Sequence, residues 1–199
     1  MSSLPRRIDL DAAAAAIDAF LVAIGAPQGN PELERTGQMV ARAFAHELLA
    51  GYDEDPAAIL ADATASSAEG LVIVRDLDCV LMCPHHLLPA AGVVHVAYCP
   101  GSRVVGFGAL GRLTQALSRR LVLQEDFVQS VTDALMQYLD ARGAACLVDL
   151  APTCMTIRGG CHYGARATSS AYSGTLRDDI ALRQEFLVAI AQPKGPAGR

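Results

Sequence analysis

The sequence predicts an α+β protein: a helical first third, then strands, two long helices and strands again. Three observations carry this. Apolar residues early in the chain recur at helical spacing. At Leu71 the texture changes to short β-branched runs, LVIVRDLDCVLM and VVHVAYC. Beyond them, leucines and valines stripe two more helical segments before β-type sequence returns.

In chain order, Ile17, Phe20, Leu21 and Ile24 form one i, i+3, i+4, i+7 stripe, which Gly25 ends. Asn30-Pro31 reads as an N-cap and first-turn pair. It is expected to open a second helix carrying Val40, Phe44 and Leu48, with Gly51 as its stop. The Ala-rich stretch 56–69 is expected to mix loop and short helix. The two β-branched runs then read as antiparallel strands separated by a break at Pro89–Gly92, with RVVGFG as a third short strand. Leu110, Leu113, Leu117 and Leu121 stripe one helix. Val128, Val131, Leu135 and Tyr138 stripe another, closed by Gly143. ACLVDLAP and CMTIRG read as strands, followed by a Thr/Ser-rich strand near 167–175 and a helix near 178–191. The organisation that follows is an N-terminal helical region over 1–66, a catalytic domain over 67–192 and a frayed tail over 193–199.

Composition narrows the function. No apolar run approaches the ~20 residues of a membrane span, and the start of the chain lacks a secretory h-region. A cytoplasmic protein without a membrane partner is expected. A net charge of −5 and the lack of a basic run argue against nucleic acid. The only lysine is Lys194, so lysine chemistry in the body of the fold is excluded. Six cysteines in such a chain suggest metal ligands or buried thiols before disulfides. Cys99 and Cys146 lie in strand-like apolar runs and read as small core residues.

The stretch VLMCPHHLLPAAG carries the chemistry. Cysteine and histidine are preferred zinc ligands, and Cys83-x-x-His86 is a compact chelating turn. A third ligand must come from elsewhere, and Cys79, Cys154, Cys161 and His162 are the candidates. Cys154 is the most attractive, because it begins a strand-like run and precedes Arg158. A Cys₂His set with one open position suits a catalytic zinc, which brings the pKa of a bound water toward ~7. His85 then sits beside the metal, free to carry a proton. A closed structural zinc, with Cys161, His162 or Cys79 as fourth ligand, is the alternative, as is a metal-free turn.

The motifs CPHHLLPAAGVVHVAYCPGSRVVGFGALGRL, SRRLVLQEDFVQSVTDAL and CMTIRGG, in that order, closely resemble GTP cyclohydrolase I. The resemblance runs from about Thr36 to about Gly174. It implies the tunnelling fold: antiparallel sheet with helices packed outside, assembled into rings. The assembly it implies is a homo-oligomer, a decamer of two pentamers with active sites between subunits. It places Zn²⁺ on Cys83, His86 and Cys154, proton transfer on His85, and guanine reading on Gln124 and Glu125. Phosphate contacts fall on Arg112, Arg158 and Arg35. These assignments suit the chemistry. A carboxylate accepts two hydrogen bonds from the N1–H and exocyclic amine of guanine, and arginine forks match phosphate oxygens. The implied activity is hydrolysis of a guanine-type purine at C8.

This sequence departs from the family pattern around the same site. Pro84 stands for the glutamate of Cys-Glu-His-His. Pro152 stands where the family has a histidine two residues before the distal cysteine. Gly108-Ala109 replaces Ser-Lys, Arg35-Thr36-Gly37-Gln38-Met39 replaces Arg-Thr-Pro-x-Arg, and Asp126 replaces an arginine. Two charge-assisted contacts to a triphosphate at ~1.5–3 kcal/mol each are thereby missing. Three activities remain open: the family reaction itself, hydrolysis of a non-triphosphate purine such as guanine, guanosine or an 8-oxopurine, and a catalytically silent purine-binding regulatory protein. A cytidine-deaminase site is disfavoured, because no His-x-Glu pairs with Pro-Cys-x-x-Cys.

Overall fold

The computed structural model describes residues 6–158 and 162–193. Cys161, Lys194 and residues 194–199 of the tail expected over 193–199 lie outside the described residues. The first helix, α1 (Leu10–Ala23), is capped by Asp9, whose carboxylate accepts from the Ala12 N–H. Its stripe is only partly covered: Ile17 and Leu21 are half-buried, whereas Phe20 and Ile24 are exposed. Asn30 does cap, but it opens only a 3₁₀ turn over Pro31–Leu33. The next helix, α2 (Thr36–Ala43), starts after Arg35 and widens into a π turn over Phe44–Leu48. It meets α1 at Gly37, whose N–H donates to Asp18 at 3.2 Å. A Cβ at that glycine would lie 2.6 Å from the Ala14 carbonyl, so the close approach requires glycine. Gly51 is no helix stop. It lies inside a 3₁₀ turn over Ala50–Asp53, after which comes α3 (Pro56–Leu60).

The centre of the molecule is a four-stranded antiparallel sheet in the order β2 (Val72–Met82), β3 (Pro89–Cys99), β5 (Gly143–Pro152), β6 (Ala167–Gly174). The expected third strand shrinks to β4 (Arg103–Val104), which pairs with β1 (Thr64–Ala65) in a separate ribbon. Pro89–Gly92, expected as a break, is instead the first third of β3. Proline is tolerated as a first strand residue, and Gly92 admits a neighbour that no side chain could, since a Cβ there would lie 2.1 Å from the Asp149 carbonyl.

Helices α4 (Phe107–Ser118) and α5 (Gln124–Tyr138) cover one face of the sheet. Leu110, Leu113, Phe127, Val131 and Leu135 pack there against Val94, Val96, Val148 and Leu150, all almost fully buried. Asp140, at φ 56°, turns the chain after α5, so Gly143 is not a helix cap but the first residue of β5. CMTIRG is not a strand. Pro152 ends β5, and Thr153–Thr156 close into a short helix, α6. The C-terminal α7 (Thr175–Asp178) and α8 (Ile180–Ile190) pack on the other face through Leu176 and Phe186. Among the described residues, no helix is long and apolar enough to cross a membrane.

Two core thiols make stability depend on alkaline pH. Burial pushes the Cys79 thiol up to about 12, against a smaller opposing hydrogen bond with Ser118. Burial, reinforced by Cys79, pushes Cys146 up as well. A raised folded-state pKa favours the neutral thiol, so this stabilisation is complete below the unfolded value near 9.0 and is lost as pH climbs toward 12. Denaturant titrations above pH 9 are expected to lose about 1.4 kcal/mol per pH unit for each such thiol. Cys79→Ala should make that decline shallower. An identical slope in the variant would remove Cys79 from the account.

Candidate active site

Register alone gathers the proposed ligands. Strands β2 and β5 both run antiparallel to β3, so their C-terminal ends lie at one edge of the sheet. Leu81, Ala90 and Pro152 are aligned across the three strands. Two residues beyond Leu81 is Cys83, and two residues beyond Pro152 is Cys154. A single parallel bridge between Met82 and Leu121 brings the start of α5 to the same place.

The 83–88 turn between β2 and β3 is closed by two hydrogen bonds. Cys83 N–H donates to Leu88 O at 3.0 Å, and Leu87 N–H donates to Cys83 O at 2.9 Å. Leu87 sits at φ 52°, a strained setting for a leucine, held by those bonds. The turn directs Cys83 and His86 toward Cys154 on α6. Thr153 Oγ1 donates to the Pro89 carbonyl and fixes α6 against β3.

The candidate ligand atoms of Cys83, His86 and Cys154 all lie within 4.8 Å of one another. Cys83 Sγ and His86 Nδ1 are 3.8 Å apart. Tetrahedral zinc with bonds of ~2.3 Å to sulfur and ~2.05 Å to nitrogen places such a pair ~3.6 Å apart, so the residues fit the ion. The other candidates do not join them. Cys79 is buried in the core face of β2, and His162 is outside the cluster.

Arg158 Nη1 lies 2.7 Å from His86 Nε2. A guanidinium only donates, so Nε2 is its acceptor here; a metal on Nδ1 would leave the ring proton on Nε2 and turn Arg158 away from it. Burial, with added effects from Cys83, pushes the Cys154 thiol up. Metal uptake must therefore displace protons, and it becomes less favourable as pH falls.

Beside the ligand triangle lies a cleft of about 210 Å³ lined by Leu88, His85, Val122, Leu123, Gln124, Glu125 and Pro152, together with both cysteines. That is below the ~300–1,000 Å³ of a pocket for a drug-sized ligand, so it suits one flat ring system while the rest of a larger molecule lies outside it. His85 and Glu125 are exposed within it. The His85 ring is edge-on to His86 at 6.3 Å. Gln124 Nε2 donates to the Ala167 carbonyl at 2.8 Å, so β6 holds this side chain and leaves its Oε1 to a ligand. Glu125 stands in the first turn of α5, where unpaired backbone N–H groups favour a carboxylate. Sequence reasoning did not name the apolar walls Leu88, Val122 and Leu123. The one available signal was an apolar pair directly before the helix that carries Gln124.

Seven of the nine expected site residues thus come together: Cys83, His85, Gln124, Glu125 and Cys154 line the cleft, His86 completes the ligand triangle beside it, and Arg158 lies against His86. Arg112 and Arg35 do not join them within one chain. Arg112 lines a separate cavity with Gly51, Gln115 and Arg119, and Arg35 is exposed at the start of α2.

Comparison with known proteins identifies the family. The profile of the GTP cyclohydrolase I family matches residues 13–191. GTP cyclohydrolase 1 of Chromobacterium violaceum is 36% identical over 185 residues, covering 93% of this chain and 90% of the relative. The enzyme of the same name from Corynebacterium glutamicum is 37% identical over 187 residues, covering 93% and 95%. That of Halalkalibacterium halodurans is 37% identical over 185 residues, covering 92% and 98%. With the profile spanning nearly the whole chain and full-length relatives above one-third identity, this chain belongs to the GTP cyclohydrolase I family.

Proposed function

We propose that this chain is a zinc-dependent hydrolase of the GTP cyclohydrolase I type that opens the imidazole ring of a guanine-type purine at C8. The observation that carries the reading is the Cys83–His86–Cys154 triangle opening onto a ring-sized cleft that also holds His85 and Glu125. Bound there, zinc supplies a Lewis acid that makes water nucleophilic near neutral pH. The chain's own residues supply the rest. Glu125 accepts from the N1–H and the exocyclic amine of the base, and Gln124 Oε1 offers a further acceptor. Leu123, Val122 and Leu88 cover the ring. Water adds at C8, the C8–N9 bond breaks, and His85 delivers the proton that N9 takes. A second water releases the resulting formamide as formate. Arg112 and Arg35 lie off the cleft of their own chain, and we read them as serving the cleft of an adjacent subunit in a ring assembly.

Pro152 supports a second reading. It lines the cleft, at the position where the family pattern implies a further histidine, and it holds no proton. With Gly108-Ala109 at the start of α4, this favours an enzyme that opens the ring of a substrate other than GTP and stops there. The experiment is incubation of the zinc-loaded protein with GTP, guanosine, guanine and 8-oxoguanine, following ultraviolet spectra and formate, or carbon dioxide for 8-oxoguanine, whose C8 is already at the carbonate level. Formate with pterin absorbance supports the full family reaction. Formate without a pterin supports ring opening alone. Binding without formate or carbon dioxide sinks both. Glu125→Gln is expected to lower kcat/KM about 100-fold, because a charge-assisted hydrogen bond at ~1.5–3 kcal/mol is replaced by a donor–donor clash. A fall below threefold would remove Glu125 from base recognition.

A further inference from the structure

The residues that wall the cleft are held from a distance. We propose that Tyr52 is a positioning residue for the purine site. Its hydroxyl sets the placement of the linker 119–123 between α4 and α5, and through it the apolar wall Val122–Leu123 and the base-reading pair Gln124–Glu125. The proposal rests on the purine reading above.

The linker has little hold of its own. Helix α4 ends at Ser118 and α5 begins at Gln124. Leu123, in the N-cap position of α5, is extended and makes no side-chain capping bond. The helix start therefore lacks the local device that usually fixes how the first turn emerges. Leu121 and Leu123 are exposed, so burial does not hold them either. A single bridge ties Leu121 to Met82, the residue before Cys83. A displaced linker would carry the wall and the base-reading pair with it, against a ligand turn that is closed by its own main-chain bonds.

What restrains the linker comes from the N-terminal region. Leu121 N–H donates to the Tyr52 hydroxyl at 3.1 Å. Arg120 donates to the carbonyls of Gly51 at 3.0 Å and Glu54 at 3.2 Å. Gly51 N–H donates to the Arg119 carbonyl at 3.0 Å. Three consecutive linker residues are thus bonded to the 3₁₀ turn Ala50–Asp53 or its edge. The seat is close. A Cβ at Gly51 would lie 2.1 Å from the Ala116 carbonyl, so only glycine lets this turn lie against the end of α4.

Tyr52 is itself held. The guanidinium groups of Arg6 and Arg120 lie over its ring, 5.2 Å and 5.8 Å from the centroid, and Arg6 pairs in turn with Asp53. A ring fixed this way presents its hydroxyl at one place, so the acceptor sets the position of the donor instead of following it. Of the linker bonds, the one to Tyr52 lies nearest the cleft, because Val122 and Leu123 follow Leu121 directly. Its loss costs little stability, since Leu121 is open to solvent and water can replace the acceptor. What its loss costs is placement, and a cleft of about 210 Å³ that takes one flat ring tolerates little displacement of its wall.

The test uses Tyr52→Phe in the zinc-loaded full chain, which removes one hydroxyl and keeps the ring. The probes are 7-deazaguanosine and its triphosphate, because carbon in place of N7 prevents hydrolytic opening of the ring. Tyr52→Phe is expected to bind both about fivefold more weakly, with metal content unchanged and a melting temperature within ~3 °C of wild type. Amide hydrogen exchange should quicken about tenfold at 121–123 and stay unchanged in β2 and β3. In turnover, KM should rise while kcat stays within about twofold. Wild-type affinity in Tyr52→Phe overturns the proposal. So does a variant that melts lower and exchanges faster throughout the sheet, because Tyr52 is then a general prop of the fold. A wild type that binds neither probe fails the purine reading instead, and exchange at 121–123 alone then decides whether Tyr52 holds the linker.

Discussion

Cys154→Ser is expected to leave the protein folded, to abolish stoichiometric metal binding, and to cut formate release on the order of 10³-fold or more, since metal activation of water from a pKa of ~15.7 toward ~7 is lost. The magnitude follows from ligand number. Three donor atoms within 4.8 Å of one another make a tight chelate, whereas Cys83 and His86 alone make a bidentate turn. A serine hydroxyl stays protonated near neutral pH and is a hard, weak donor where the ion prefers thiolate. The fold should survive, because Cys154 is only half-buried and α6 keeps its Ile157 N–H to Thr153 O bond and its Thr153 tether to Pro89. Metal content after dialysis, thermal melting, and the thiolate-to-metal absorption of cobalt-substituted protein check this independently of turnover. The cobalt band should be lost from the variant. A variant that retained one tightly held ion per chain would mean that another side chain completes the site. His162 would be the first to examine, and the open position on which the proposed chemistry depends would be gone.

The ligand turn was legible in the sequence because Cys83 and His86 are neighbours, and local spacing is what a sequence displays directly. Cys154 is far along the chain, and its attraction as a third ligand rested on weaker signs. What brings it in is strand register: Leu81, Ala90 and Pro152 align only because β3 runs unbroken through Pro89–Gly92. Proline and glycine punctuate most segments, so the sequence suggests a break there, yet a first-position proline and a glycine facing Asp149 are both compatible with a strand. CMTIRG misled in the opposite sense. Its β-branched threonines and isoleucine suggest a strand, but Pro152 ends the ladder and the next turn is helical. The two long helices were legible because their leucine and valine stripes face a sheet. The stripe on α1 predicted a helix correctly but not its cover, because Phe20 and Ile24 stay exposed in the single chain.

His85→Ala should lower kcat by ~10²–10⁴-fold, the usual range for a lost general acid, with metal content unchanged and KM altered less than threefold. The cleft itself argues for the upper part of that range. Once Cys83 and Cys154 are assigned to metal, His85 and Glu125 are the titratable groups left among its described lining residues. Glu125 sits at the end where the base edge would dock, and Pro152 carries no proton. A relative with a second histidine at the Pro152 position retains a partial substitute when the first is removed, and this chain does not. His85 can be changed without disturbing the ligands: it is exposed, its ring contacts His86 only edge-on at 6.3 Å, and the hydrogen bonds closing the 83–88 turn are main-chain bonds. Added imidazole should therefore restore part of the activity of His85→Ala by diffusing into the vacated space as a proton donor. No such rescue is expected for Cys154→Ser, whose defect is the ion. If His85→Ala turns over at the wild-type rate, the proton to N9 comes from solvent and His85 is only a wall of the cleft. If the variant loses its metal, His85 supports the ligand turn, and the fall in kcat says nothing about proton transfer.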